Sequence, residues 1–353
     1  MKLNCIEEFE EDLVSIIIPV FNGEKTVERC LNSVIFQTYK NLEIIIIDDG
    51  SSDKSVEICK EIIKFDPKFK LYVKNNGGVS SARNLALKKM NGSFVVFLDC
   101  DDFIHETYIE RMVNAANNWG LDIVISSFEN LRIKHEIDYK KYFNKSLGIN
   151  NTEILKPDDA LEKMLLGNNF RWEACGKIFK EKILKDVFFD ESEVIFEDFS
   201  YTCKALANSK KIGYIDSRMY FYVDNHNSAS KQVYNEKLKS VNITVGKFEK
   251  IINQNFPKLQ YCSLYFKSII YTDMYDRILA KSTGFINFIK SYSSNVDNIK
   301  FFYRELGLVK NELIFCNYIP KKKRIKFLFM FNKYFFMVFR YYMVFFKSFN
   351  GDR

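Results

Sequence analysis

The chain is 353 residues long, 47% hydrophobic and 16% aromatic, with only five Pro. That composition gives ample material for a packed core and excludes a largely disordered polymer. The net charge is +7, but residues 320–353 hold nine Lys/Arg against one acid, so the preceding 319 residues come to −1 and do not look like a uniformly basic nucleic-acid binder.

The predicted elements begin with Val14 to Pro19, a β-branched run that reads as a strand buried on both faces. After Asn22, the apolar residues Val27, Cys30, Leu31, Val34 and Ile35 fall at helical spacing. Leu42 to Ile47 is a second buried strand, stopped by Asp48-Asp49-Gly50-Ser51-Ser52. Ser52 or Asp53 caps a helix carrying Val56, Ile58, Ile62 and Ile63. Lys70 to Val73 is a third strand. Ser80 or Ser81 then opens a helix that runs toward Gly92 as its cap. A fourth strand, Phe94 to Leu98, precedes a helix from about Glu106 to Asn118 and a strand from Asp122 to Ser126. Residues 130–170 show little pattern, 171–230 are mixed, and 231–310 look helical.

Strands alternating with helices imply βαβ units and a mainly parallel sheet, whose ligands bind outside the carboxyl ends of the strands. Asn22, Asp48-Asp49, Asn75-Asn76 and Asp99 to Asp102 all fall at such ends. Asp99, Asp101 and Asp102 offer hard oxygen ligands suited to Mg²⁺ or Mn²⁺ beside a phosphate. Taken alone, the triplet fits an Asp-rich turn equally well. Asp48 and Asp49 can accept from a base or ribose, or can serve a turn and a helix cap. The glycines of Asn76-Gly77-Gly78 let backbone approach a ligand. Arg83 lies near a helix N-terminus, a natural anion site or simply a solvated first turn. Glu197-Asp198 sits within an apolar run; the acids suit a helix N-terminus as well as a catalytic role. No Gly-x-Gly-x-x-Gly follows the first strand and no Walker motif is present, which sets aside dehydrogenase and P-loop readings.

The ordered set Pro19-Val20-Phe21-Asn22, Gln37-Thr38-Tyr39, Ile47 to Asp53, Asn76 to Asn84 and Phe97 to Asp102 resembles the signature run of family 2 glycosyltransferases of the GT-A fold, over residues 13–128. The resemblance implies an α/β, mainly parallel mixed sheet flanked by helices, with a C-terminal helical extension. It implies that Pro19, Phe21, Asn22, Asp49, Asp48, Arg83 and Asp99 surround a nucleotide. Phe21 stands where Tyr is more usual and would stack on the base. Asp99 and Asp101, with Asp102 close by, would hold Mn²⁺ or Mg²⁺, and Asp198 would be the general base. Arg171 to Phe179 and Tyr220 to Ser228 match the acceptor side more loosely, with Cys175-Gly176 in place of Trp-Asn. His226 reads as a solvated loop histidine or a phosphate or metal ligand. No Gln-x-x-Arg-Trp appears, which disfavours a processive synthase.

The expected organisation is a catalytic domain over 1–230, a helical region over 231–319 and a basic, aromatic tail over 320–353. Lys326, Lys333, Arg340 and Lys347 recur every seven residues, and on a helix such a repeat drifts only ~20° per heptad. That narrow cationic stripe among Phe, Tyr and Met fits a helix lying in a membrane interface better than one spanning it. Packing on the body or in a dimer is the bland alternative. The eight cysteines form no Cys-x-x-Cys pair and read as reduced thiols of a cytosolic protein. The residues before Val14 are acidic, with no apolar signal core.

The expected activity is non-processive, inverting transfer of a sugar from a nucleotide-diphosphate sugar, UDP-linked, to a glycan or lipid-linked glycan acceptor in bacterial surface polysaccharide synthesis. The enzyme would sit peripherally on the inner face of the membrane, without nucleic acid, and a homo-oligomer stays open. A nucleotidyltransferase on the same site, or a silent membrane-bound binding module, are the alternatives.

Overall fold

The computed structural model describes residues 11–132, 140–224 apart from 144–147, 149–150, 167–169 and 194, and much of 241–274. The described residues of Met1–Pro157, Glu173–Glu191 and Tyr201–Asn225 form one compact unit, and those of Asp158–Trp172, Ser192–Ser200 and His226–Arg353 a second.

The first unit is built on a nine-stranded sheet. Its strands are β1 (Val14–Val20), β2 (Leu42–Asp48), β3 (Phe69–Val73), β4 (Phe94–Phe97), β5 (Phe103–Ile104), β6 (Ile123–Arg132), β7 (Thr152–Leu155), β8 (Lys177–Lys180) and β9 (Ile212–Asp224). The order is β3-β2-β1-β4-β8-β6-β9-β5, with β7 also on β9. β1 and β2 are buried at every position, as continuous Ile/Val runs require when helices cover both faces. The pairs β1–β2, β1–β4 and β2–β3 are parallel; β8 runs antiparallel to both β4 and β6.

Register decides what this sheet presents. Val20 lies beside Asp48, and Asp48 beside Val73, while Ile17 pairs with Phe97. The segments that follow β1, β2, β3 and β4 therefore emerge at one edge, and the four polar clusters of the sequence meet there.

The helices are α1 (Val27–Ile35), α2 (Ser55–Ile63), α3 (Val79–Leu87), α4 (Tyr108–Trp119), α5 (Lys140–Phe143), α6 (Pro157–Leu165), α7 (Glu197–Ala207) and α8 (Val241–Asn255). The first four stand close to their expected positions because the apolar spacing and strand separation leave little choice. Neither Ser52 nor Asp53 is the N-cap of α2, which is Lys54; Asp53, one residue earlier, accepts Ser55 N–H on Oδ1 at 3.0 Å. Gly92 does not cap α3, which ends at Leu87 with Lys88 as its C-cap. A Cβ on Gly92 would stand 2.6 Å from Ser15 N, so this glycine lets the chain pass tightly over β1.

Behind β4, Phe97 meets Phe179, Phe189 and Tyr201 edge-on, and Phe189 stacks on Tyr201 at 4.0 Å. The second unit has its own aromatic core, in which Phe199, Phe248 and Phe266 approach within 4.1–4.7 Å. Of the expected 231–319 region, the described part includes α8. His226 and the tail 320–353 lie outside the described residues. Among the described residues, no helix is long and apolar enough to cross a membrane.

Candidate active site

The segments after β1 and β2 are laced together. Asn22, in the left-handed region at φ 50°, donates its N–H to Ser51 Oγ (2.9 Å) and accepts Ser52 N–H on Oδ1 (2.9 Å). Gly23 N–H donates to Ser55 Oγ (2.8 Å), Glu24 N–H to Asp53 Oδ2 (3.0 Å), and Lys54 N–H to Glu24 Oε2 (3.3 Å). Asn22 thus braces the loop. Pro19 is buried in β1, whereas the neighbouring Phe21 ring is 51% exposed at the strand-end edge.

The two acids after β2 divide their work. Asp48 Oδ2 accepts from Gly50 N and Ser51 N at 3.1 and 3.0 Å and closes the turn. Asp49 reaches the next segment: its carboxylate takes Lys74 Nζ (2.5 Å), Gly77 N (3.0 Å) and Gly78 N (2.7 Å), and its carbonyl takes Asn76 Nδ2 (3.0 Å). A carboxylate accepting main-chain N–H groups organises the glycine loop and sets the start of α3. Lys74 carries no motif of its own and sequence reasoning missed it; its only signal is a cation placed one step beyond β3.

Arg83 projects from α3 and is almost wholly buried. Its Nη2 donates to Asp99 Oδ1 at 2.7 Å, and its guanidinium lies 5.1 Å over the Phe189 ring. Asn84 fixes the same helix by exchanging hydrogen bonds with the Phe189 backbone at 2.9 and 2.8 Å. Arg83 therefore reaches the acid turn after β4 rather than solvent.

Within that turn the three acids differ by burial. Asp99 has 28% of its side chain exposed and Asp101 is partly exposed. Asp102 is buried, accepting Tyr220 OH (2.8 Å) and Val223 N–H (2.8 Å). Burial, then the charges of Asp101 and Asp99, push its carboxyl well above the ordinary range, against the two hydrogen bonds. Tyr220 also receives Asp99 N–H at 3.4 Å. So Tyr220 lies behind the acids as a fully buried brace, where the looser family match had it lining an acceptor cleft. Arg29 of α1 donates from Nη2 to the Asp101 carbonyl at 2.5 Å and holds the turn from its other side. Cys100, between the acids, has its thiol pushed up by burial and by Asp101.

Donor atoms of Asp99, Asp102 and Cys175 lie within 4.8 Å of one another. A hard divalent ion prefers carboxylate oxygen to a buried thiol. Asp99 and Asp101, both part-exposed, would offer such oxygens at this turn, while Asp102 is bonded to Tyr220 and Val223 beneath it. Asp198 lies on the first turn of α7 in the second unit, partly buried. Phe196, just before it, takes a left-handed φ of 62°, and its ring packs on Trp172 and Phe266 at 6.3 and 5.8 Å.

Comparison with known proteins agrees with this geometry. Residues 15–188 match the family described as glycosyl transferase family 2. Glycosyltransferase GlyA of Streptococcus pneumoniae is 29% identical over 262 residues, covering 72% of this chain and 37% of GlyA. The minor teichoic acid biosynthesis protein GgaB of Bacillus subtilis is 31% identical over 211 residues, covering 59% of this chain and 22% of GgaB. The chain thus spans well under half the length of either relative. S. aureus TarS, crystallised in complex with UDP-GlcNAc, superposes with a TM-score of 0.58 at 19% identity, covering 96% of this chain and 92% of that one, which speaks to the fold. Strand-end acids, a buried arginine joined to them and these matches lead to one conclusion: the chain belongs to glycosyltransferase family 2 and has the GT-A fold.

Proposed function

We propose that this chain moves a sugar from a UDP-sugar to a hydroxyl of a glycan acceptor, inverting the anomeric carbon, in synthesis of a bacterial surface polysaccharide. The observation that carries the reading is the Arg83–Asp99 pair at 2.7 Å, in the turn that also bears Asp101, at the sheet edge that presents Asp49. Two similarities support the substrates: TarS was crystallised with UDP-GlcNAc, and GgaB is named for teichoic acid biosynthesis.

In this reading Phe21 stacks on the base and Asp49 bonds its edge, with Asp48 fixing the turn that carries Asp49. Arg83 keeps Asp99 oriented toward the ribose and lends positive charge near the phosphates. A Mn²⁺ or Mg²⁺ held by Asp99 and Asp101 supplies, when bound, charge that offsets the leaving diphosphate. Asp198 takes the proton of the acceptor hydroxyl. The acceptor oxygen bonds to the anomeric carbon as the bond from that carbon to the diphosphate oxygen breaks, and the electron pair leaves with UDP. We place the protein on the inner membrane face, where a lipid-linked glycan is the acceptor.

The test is a screen of nucleotide sugars with Mn²⁺, read by UDP release and by NMR of the product's anomeric configuration. Retention of configuration, or release of inorganic pyrophosphate, overturns the proposal. Asp101→Ala is expected to slow turnover about 10²–10³-fold, on the scale of losing one charge-stabilising group. Asp198→Asn is expected to keep UDP-sugar binding and lose about 10²–10⁴-fold in transfer. Full activity in either variant removes that residue from its role.

A further inference from the structure

Lys74 follows directly on β3. Its ammonium donates to Asp49 Oδ1 at 2.5 Å and to the Asn75 carbonyl at 2.8 Å. Its side chain keeps 21% exposure, whereas that of Asp49 keeps 4%. A Cβ on Gly77 would stand 2.8 Å from Lys74 Nζ, so the ammonium lies against the bare Cα of that glycine. The other donors to the Asp49 carboxylate, Gly77 N and Gly78 N, belong to the main chain at the start of α3. Only Lys74, which turns about its own torsions, can yield its place without moving backbone.

We propose that Asp49 and Lys74 together read the keto–imide edge of the donor's base, and that Lys74 makes the site prefer uridine to cytidine. This rests on the proposed function, in which Asp49 faces a nucleotide base. Uracil presents an imide N3–H beside the O4 carbonyl, a donor next to an acceptor. A carboxylate only accepts and an ammonium only donates. The imide N–H takes the place of Lys74 on Asp49 Oδ1, and Lys74 Nζ swings to O4. One hydrogen bond becomes two, and the buried carboxylate keeps its counter-charge nearby. Cytosine presents the reverse order, an N3 lone pair beside an N4 amine. Its lone pair would meet the carboxylate and its amine the ammonium, so both contacts are lost. Adenine has the same reversed order. Guanine has the matching order on a larger ring, so its binding reports pocket size.

The experiment is calorimetric titration of the full chain with UDP, CDP and GDP in the presence of Mn²⁺, for the wild type, Lys74→Met and Lys74→Arg. The wild type is expected to bind UDP about 10–100-fold tighter than CDP, the span of one or two charge-assisted hydrogen bonds. Lys74→Met is expected to weaken UDP about tenfold and leave CDP unchanged, and Lys74→Arg to retain the preference. An unchanged UDP-to-CDP ratio in Lys74→Met, or an equal loss for both nucleotides as a purely structural lysine would give, overturns the proposal. A second arm needs no variant: 4-thio-UDP, whose sulfur is a weak acceptor, is expected to bind the wild type several-fold more weakly than UDP, and equal affinity overturns the proposal. If the wild type binds UDP and CDP alike, Lys74's part fails while the nucleotide site stands. If it binds no nucleotide, the proposed function fails and takes this inference with it.

Discussion

Asp102 and Asp122 are both buried carboxylates, and their surroundings push them in opposite directions. Asp102 sits among other acids, and burial and their charge push its carboxyl well above the ordinary range. At Asp122 burial also pushes the carboxyl up, but the Lys182 ammonium at 2.8 Å and the Lys210 N–H at 2.8 Å overcome it, so the net shift is downward. A depressed carboxyl contributes stability that is present above its unfolded value, about 3.9, and lost as pH falls through the folded value. Asp122→Asn is therefore expected to destabilise the fold by about 1–3 kcal/mol at neutral pH. The gap to wild type should close as pH drops below about 4. Urea unfolding at pH 7 and near pH 3 checks this; a gap that persists at low pH would show that the charge is not its source. Neither environment was legible locally. Asp102 depends on Tyr220, 118 residues further on, and Asp122 on Lys182 and the turn before β9. No short motif signals such partners.

At the scale of elements, the β-branched runs that became β1, β2 and β4, and the apolar spacing of α1 to α4, carried the architecture in their own residues. β5 escaped notice because two residues, Phe103 and Ile104, show no period; it exists because Phe221 and Tyr220 of β9 pair with it. Gly92 suggested a helix cap from composition, but its requirement comes from β1 passing beneath it. Gln37 and Thr38, part of the family-like signature, have an architectural use. Gln37 Nε2 donates to the Ser33 and His105 carbonyls at 2.9 and 2.7 Å, and its Oε1 accepts Ile109 N–H at 3.1 Å. Thr38 adds its N–H to the Glu106 carbonyl at 2.8 Å and its hydroxyl to Glu110 Oε2 at 2.7 Å. This side chain ties α1 to α4 across the chain that leaves the acid turn. Gln37→Leu, similar in size but unable to bond, is expected to cost about 2–4 kcal/mol, since three hydrogen bonds at buried groups are lost. Chemical denaturation measures it, and a loss under about 0.5 kcal/mol, the level of a neutral surface change, would show that the clamp is dispensable.

For the whole molecule, charge is the informative quantity. The net positive charge gathers in 320–353, with the Lys326, Lys333, Arg340 and Lys347 stripe. We propose that this tail lies on anionic lipid. Lys333→Glu with Arg340→Glu is expected to abolish co-sedimentation with phosphatidylserine vesicles at low salt, since each basic residue near such a surface contributes about 1 kcal/mol. The wild type should itself be released as salt shortens the screening length. Binding that survives both changes would place the stripe elsewhere, against protein.

The bond between Tyr220 and Asp102 also has a consequence in time. The lacing of the β1 and β2 segments joins residues 29–32 apart in sequence, and such short loops close at little entropic cost. The acid turn waits for a strand 118 residues downstream. During synthesis, the laced segments after β1 and β2 can therefore assemble while β9 is still being made. The turn that would hold the metal acquires its Tyr220 brace only after most of the first unit has left the ribosome. Asp102 thus gains its Tyr220 partner after Arg83 and Arg29, both earlier in the chain, can already hold Asp99 and Asp101.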